Sequence, residues 1–316
     1  HANTQIPKVI GFEKIATVTN DAEWEHAAEY FWKNVTQTRS VAFGGNSVRE
    51  HFNPTNDFKS MLQSNQGPET CNSYNMLRLS KALFLSNTDL SYIDFYERTI
   101  YNHILSTQHP EKGGFVYFTP IRPNHYRVYS QPETSMWCCV GSGIENHTKY
   151  GELIYSHSQN DVFVNLFIPS ELNWKEKGLK LIQKNNFPDQ NETELVVKLT
   201  KKQAFSLNIR YPKWAESIRI LVNGKEQSFK SGPSQYINLK RNWKDGDKIT
   251  VQFTMKTKLE YLPDGSNWAA FVRGPIVLAA KTSTEDLKGL FADDSRMGHE
   301  TRGKLYPIND AYALVD

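Results

Sequence analysis

The sequence predicts a mixed, multidomain protein: helices up to residue 156, then an antiparallel β-sandwich over 157–316. Three observations carry that reading. Apolar residues before 156 recur at helical spacing. After 160 they alternate in short runs. The dipeptides Asn223-Gly224, Asp245-Gly246 and Asp264-Gly265 separate those runs as hairpin turns do. At 316 residues, 39% hydrophobic and 22% charged, the chain is long enough for two domains of ordinary size.

In order along the chain, the opening HANTQIPKVIGFEKIATV has no initiator Met and no signal peptide, and reads as the approach to a helix. A processed product or a fragment of a longer protein is therefore expected. Residues 20–37 open on Asn20 with Glu23 three residues on, a capping-box arrangement, followed by Trp24, Ala27, Ala28 and Phe31. Residues 70–86 place Met76, Leu77, Leu79, Leu83 and Phe84 on a helix, and 88–105 carry an apolar stripe of Ile93, Tyr96, Ile100 and Ile104. A fourth helix is expected over 143–156. Trp24, Phe31 and Phe84 are expected in the core. Between the helices lie two long irregular segments, 39–68 and 110–140, of the kind that carries function. Strands are expected over 161–170, 193–200, 205–212, 217–227, 235–241, 247–255 and 269–280, and the tail from about 285 is ambiguous.

Charge and hydropathy exclude some functions. Thirty-seven basic and 34 acidic residues leave a net charge of +3 with no long basic run, so no nucleic-acid surface is expected. No apolar stretch is long enough to span a membrane.

The three cysteines are the informative residues. Cys138 and Cys139 are adjacent, and Cys71 stands two residues after Glu69. An odd count argues against a closed disulfide framework, and neighbouring cysteines bridge each other only with strain. Three thiolates and a carboxylate match zinc in ligand type and number, although the spacing is not that of a zinc finger. The plain alternative makes Cys71 a buried core thiol. A metal-held thiolate is either an inert structural ligand or a nucleophile, and composition does not choose between these.

The stretches GGNSVREHF, PETCNSYNMLRLSKALF and MWCCVGSGIENHTKYGELIY together resemble the β-L-arabinofuranosidases of glycoside hydrolase families 127 and 146, nearer to family 146. HANTQIPKVIGFEKI and RGPIVLAAK add to the likeness, which runs from residue 1 to about 282. The resemblance implies an (α/α)6 barrel followed by β-sandwich material. Too few helices are present for a whole barrel, so 1–156 would be its C-terminal half. It implies a retaining exo-glycosidase that removes terminal β-L-arabinofuranose from plant-derived glycans. Cys138 would be the nucleophile and Glu50 the general acid/base, with Zn2+ held by Glu69, Cys71, Cys138 and Cys139. His1 and Tyr117 would contact the sugar. A periplasmic or secreted location follows from the substrate class. Where the shortest-motif relatives have prolines after the paired cysteines, this chain has Val140-Gly141-Ser142-Gly143.

Each residue has a plainer reading. Glu50 is otherwise a solvated loop carboxylate, and Glu133 is a rival acid near the thiols. Glu145 and His147 are either groups that orient the ligands or helix-surface residues, with the latter favoured. Asn46 and Arg49 suit sugar hydroxyls or simply a polar loop. The 110–140 segment is rich in aromatics, and Trp137 beside the thiols suits a saccharide pocket. A zinc-stabilised module that binds carbohydrate or has a structural role, without turnover, is the alternative function. A polysaccharide lyase is less suited, because thiols have no part in that chemistry.

Overall fold

The computed structural model describes residues 1–310 except 124, 282–283, 286 and 296. Its first part is helical: α1 (Ala2–Thr19), α2 (Ala22–Thr38), α3 (Lys59–Gln63), α4 (Thr70–Asn87), α5 (Ser91–Thr99) and α6 (Cys138–Asn146). α5 continues through a π-helical turn, Ile100–Ile104, and a 3₁₀ turn, Leu105–Thr107. α4 is the central element, packing against α1, α2, α5 and α6. Residues 70 to 77 are all buried, so its first two turns have no solvent face. Met76, Leu79 and Leu83 have no exposure at all, and each such side chain contributes roughly 1.5–3 kcal/mol of burial. Trp32 of α2 crosses to α4, donating Nε1–H to Ser80 Oγ at 2.8 Å, and packs edge-on against Tyr92 of α5.

Several helix boundaries differ from those expected. The opening is a complete helix from Ala2, not an approach to one. Asn20 closes α1 in the left-handed region, and Asp21 caps α2, its side chain accepting from Glu23 N at 2.9 Å. Phe84 is core as expected, but Trp24 is 38% exposed. It lies in the first turn of α2 against Phe12, while Ala28, Trp32 and Val35 form the buried stripe. The helix expected at 143 begins at Cys138 and ends at Asn146.

The second part is built of strands. One sheet has the order β1-β2-β6-β9, from β1 (Tyr155–His157), β2 (Val162–Val164), β6 (Gln203–Tyr211) and β9 (Gln235–Trp243). The other has the order β3-β4-β5-β10-β7-β8, from β3 (Ser170–Trp174), β4 (Leu179–Lys184), β5 (Glu192–Leu199), β7 (Ser217–Val222), β8 (Lys225–Glu226) and β10 (Lys248–Thr254). β2 and β6 run parallel, a departure from the purely antiparallel expectation. Alternation holds where it was expected: Ile249, Val251 and Phe253 of β10 face inward, and Asn223 and Gly224, both at positive φ, turn β7 into β8. Three short strands follow, β11 (Thr257–Tyr261), β12 (Ala269–Arg273) and β13 (Ile276–Val277), in the order β11-β12-β13.

Compactness divides the chain differently from a cut at residue 156. One unit comprises 150–258 and 272–276; the other comprises 1–149 together with 259–271 and 277–316. Polar contacts join the returning segments to the helices. Arg98 pairs with Glu260 at 3.1 Å, Val277 N–H donates to Asn102 Oδ1 at 2.7 Å, and backbone bonds link Tyr129 to Leu290 and Ala292.

His103, on the π turn, is wholly buried, with Nδ1 2.7 Å from Ser73 Oγ and Nε2 3.2 Å from Thr119 Oγ1. Burial, and secondly the charge of Arg127, push its pKa down to about 3. The unfolded chain takes up a proton here below pH 6.5 and the folded chain does not. This contribution to stability is therefore present above pH 6.5 and lost as pH falls toward 3, at about 1.4 kcal/mol per pH unit. Denaturant titrations at stepped pH should show that slope, and His103→Asn should flatten it.

Candidate metal and thiol site

Two helix N-termini build the site. Glu69 is the N-cap residue of α4 and Cys71 lies in its first turn; Trp137 is the N-cap residue of α6 and Cys138 and Cys139 open it. The unpaired N–H groups and dipole of a helix start favour negative charge, and therefore thiolate and carboxylate. The chain from 116 to 119 locks the arrangement. Thr70 N–H donates to Tyr117 O at 3.0 Å, Thr119 N–H to Pro68 O at 2.9 Å, and the Thr70 hydroxyl to Val116 O at 2.7 Å. Tyr117 is thereby set beside Glu69 and the sulfurs.

Residues separated by 68 positions in sequence meet here. Cys71 Sγ lies 3.1 Å from Cys139 Sγ and 3.1 Å from Ser142 Oγ. Glu69 Oε1 lies 3.8 Å from Cys138 Sγ and 3.9 Å from Cys139 Sγ, and the adjacent sulfurs are 4.0 Å apart. Donor atoms of Glu69, Cys71, Cys138 and Cys139 all fall within 4.8 Å of one another, and the cluster can hold a metal. Glu69, Cys71 and Cys139 are buried, while Cys138 is open to solvent.

The electrostatics suit a bound cation. Burial, with the charges of Cys138 and Glu50, pushes the Glu69 carboxyl up to about 8. Burial pushes Cys139 up, and the hydrogen bond with Cys138 raises Cys71. Cys138 moves the other way, lowered chiefly by its interactions with Cys139 and Cys71. Glu69 Oε2 is buried without a hydrogen-bond partner among the described residues. Three sulfurs and a carboxylate form a soft donor set that a metal would keep deprotonated.

Glu50 approaches from the loop 39–58. Val48 and His51 exchange backbone hydrogen bonds at 2.9 and 3.0 Å, leaving Arg49 and Glu50 as the two central residues of a tight turn. Both have positive φ, 49° and 64°, as does Ser47 at 81°. Turns of this hand normally take Asn or Gly, and a side chain in that region costs roughly 1–2 kcal/mol. The strained turn is held from both sides: Ala2 N–H donates to Glu50 O at 2.8 Å, Arg49 N–H to Gln66 O at 3.0 Å. The Tyr117 hydroxyl donates to Glu50 Oε1 and also interacts with Cys138. His1 Nε2 lies 3.4 Å from Glu50 Oε2, and donor atoms of His1, Glu50 and Glu69 lie within 4.8 Å of one another.

The rival residues sit elsewhere. Glu133 is exposed in a turn. Glu145 is on the surface, bonded to the Tyr74 hydroxyl and 3.7 Å from Lys149 Nζ. His147 stacks on Phe115. Arg49 is exposed, and Asn46 is fully buried with neither amide atom hydrogen-bonded among the described residues. Trp137 is half-buried and edge-on to Tyr117. His299, from the C-terminal tail, packs against both the Tyr117 and Trp137 rings. No spacing pattern flags it, because it reaches the site only through tertiary packing.

Residues 1–152 match the profile of the β-L-arabinofuranosidase, GH127 catalytic domain, and 161–255 that of the GH127 middle domain. Residues 258–316 match a domain of unknown function. No curated protein matches the chain. Among solved structures, the chain is similar to a GH127 β-L-arabinofuranosidase from Geobacillus stearothermophilus T6, at 21% identity and a TM-score of 0.75 over 88% of this chain and 46% of that one. It is also similar to a GH127 β-arabinofuranosidase at 23% identity and a TM-score of 0.76, over 88% and 47%, and to a glycoside hydrolase at 20% and 0.74, over 88% and 51%. At these identities the likeness is one of fold, and the chain spans about half the length of the structures it matches.

Two outcomes follow from the geometry. Arg49→Asn, at a backbone conformation Asn tolerates, should raise stability by about 0.5–1 kcal/mol, read as a higher denaturant midpoint. Cys71→Ser and Cys139→Ser should each lose most bound metal in elemental analysis; unchanged content would mean the buried thiols are not ligands.

Proposed function

The chain belongs to the β-L-arabinofuranosidase family GH127, and on that premise we propose that it carries the thiol half of a retaining exo-glycosidase site that releases terminal β-L-arabinofuranose from plant-derived glycans. The observation that carries the reading is the convergence of Glu69, Cys71, Cys138 and Cys139 beside Glu50, with only the Cys138 thiol open to solvent. Most glycosidases set two carboxylates across the bond; here the open nucleophilic group is a sulfur.

The metal is zinc in this reading, held by Glu69, Cys71, Cys138 and Cys139. The Glu69–Cys138, Glu69–Cys139 and Cys138–Cys139 separations of 3.8, 3.9 and 4.0 Å suit ligands of one tetrahedral zinc, while Cys71 and Cys139, at 3.1 Å, stand closer than two such thiolates would. When bound, zinc keeps the thiols deprotonated at neutral pH and makes the sulfur a better leaving group.

Cys138 sulfur attacks the anomeric carbon while Glu50 gives its proton to the departing glycosidic oxygen. The sugar is then joined to Cys138. Glu50, now a carboxylate, takes a proton from water, and the water oxygen displaces Cys138 from the same carbon with overall retention. Tyr117, bonded to Glu50 and set beside the sulfurs by the Thr70 N–H bond to its carbonyl, holds Glu50 in register with the thiols. His1, 3.4 Å from Glu50, contacts the sugar. The Val140-Gly141-Ser142-Gly143 stretch after the thiols supports a place nearer family 146. A glycan substrate of plant origin supports a periplasmic or secreted protein.

Cys138→Ser should cut turnover of an aryl β-L-arabinofuranoside at least about a thousandfold, and Glu50→Gln about a hundred- to ten-thousandfold, both with zinc content measured in parallel. Full turnover in the serine variant would remove the thiol mechanism. Zinc present with no turnover by the native chain would favour a metal-stabilised binding module instead.

A further inference from the structure

We infer that His299 is a substrate-contacting, specificity-determining residue of the thiol site, binding a ring hydroxyl of the sugar held between Glu50 and Cys138. This rests on the glycosidase reading above and adds to it a residue from the segment matched to a domain of unknown function.

His299 completes a wall of three rings. Its imidazole stacks on Tyr117 with centroids 4.4 Å apart and planes at 26°, and meets Trp137 edge-on at 5.4 Å. Tyr117 and Trp137 are themselves edge-on at 6.2 Å. Trp137 directly precedes Cys138, and the Tyr117 hydroxyl bonds to Glu50. The charges of Glu300, Glu50 and Cys138 all act on the imidazole. Aromatic faces of this kind suit the C–H surface of a sugar.

Packing alone does not account for an imidazole here. His299 Nδ1 is buried and has no hydrogen-bond partner among the described residues. A phenyl ring would stack equally well without leaving a buried polar atom unpaired, which is unfavourable. Burial pushes the imidazole pKa below its ordinary value, so at neutral pH one ring nitrogen donates and the other accepts. A sugar hydroxyl, able to donate or accept, pairs with a single ring nitrogen in either role.

The chain around His299 is built to present it. Arg302 grips Asp293 through both guanidinium nitrogens, at 2.7 and 3.0 Å, closing the loop. Ala292 N–H donates to Tyr129 O at 2.8 Å before the loop, and Asn65 Nδ2 donates to Thr301 O at 3.2 Å after it. Gly298, just ahead of His299, has no room for a side chain: a Cβ would fall 2.7 Å from Asp293 O and 2.9 Å from Asp293 Oδ1.

The test titrates methyl β-L-arabinofuranoside into the full zinc-loaded chain by calorimetry, comparing native protein, His299→Phe and His299→Gln, with zinc content and thermal midpoint measured for each. His299→Phe should weaken binding about tenfold, the value of one neutral hydrogen bond, with zinc content and midpoint retained. His299→Gln should recover part of the loss. Binding by His299→Phe within twofold of native would overturn the inference, as would loss of zinc together with binding. Native protein that binds no pentofuranoside would remove the glycosidase reading and this inference with it.

Discussion

Everything at the site depends on two helices that begin at the same place. α4 starts at Glu69 and α6 at Cys138, and their first turns bring three sulfurs and a carboxylate within 4.8 Å. Such a concentration of acidic groups is unfavourable in a buried setting, as the raised pKa values of Glu69 and Cys139 record. Helix starts offset part of that through their free N–H groups, and a cation would offset the rest. The remainder of the helical unit serves this junction. α4 is buried through its first two turns, and Tyr117 is tied to it by backbone and hydroxyl bonds from Thr70.

The four donors are not equivalent, and the difference is one of access. Glu69, Cys71 and Cys139 are enclosed, while Cys138 faces solvent and is the sulfur most ready to carry charge. Opposite it stands Glu50, held on a turn whose two central residues, Arg49 and Glu50, both adopt left-handed backbone conformations without being glycine or asparagine. Strain of that kind persists where surrounding structure imposes it. Here the Ala2 and Arg49 amides and the Tyr117 hydroxyl do so. The aromatic wall of Tyr117, Trp137 and His299 joins segments from three parts of the chain at one open thiol.

Much of this was legible in the sequence. The adjacency of Cys138 and Cys139, with Glu69 two residues before Cys71, signalled a shared centre through chemistry alone. Helical periodicity found α5 through its buried stripe and α4 through Met76, Leu79 and Leu83; in α2 it found the helix but not its buried face, since of Trp24, Ala27, Ala28 and Phe31 only Ala28 is buried. It missed the full length of α1, whose buried residues, Ala2, Ile6, Val9, Glu13 and Ala16, include a carboxylate and small side chains. It misplaced the start of α6, where no capping side chain marks the N-terminus. Strands β3 and β4 escaped notice because lysine, glutamate and asparagine interrupt their apolar residues.

Legible along the chain was the kind of chemistry: three thiols, two adjacent and one two residues after a carboxylate, and a change from helical to alternating pattern near residue 156. Packing settles which thiol is open, that the Tyr117 hydroxyl bonds to Glu50, and that residues 259–271 and 277–316 return to the helical unit with His299 among them. Residue type and local spacing are written along the chain, so periodicity and composition reveal them. Exposure, strain and contacts between distant segments are set by how whole elements pack, and a single position's identity does not encode them.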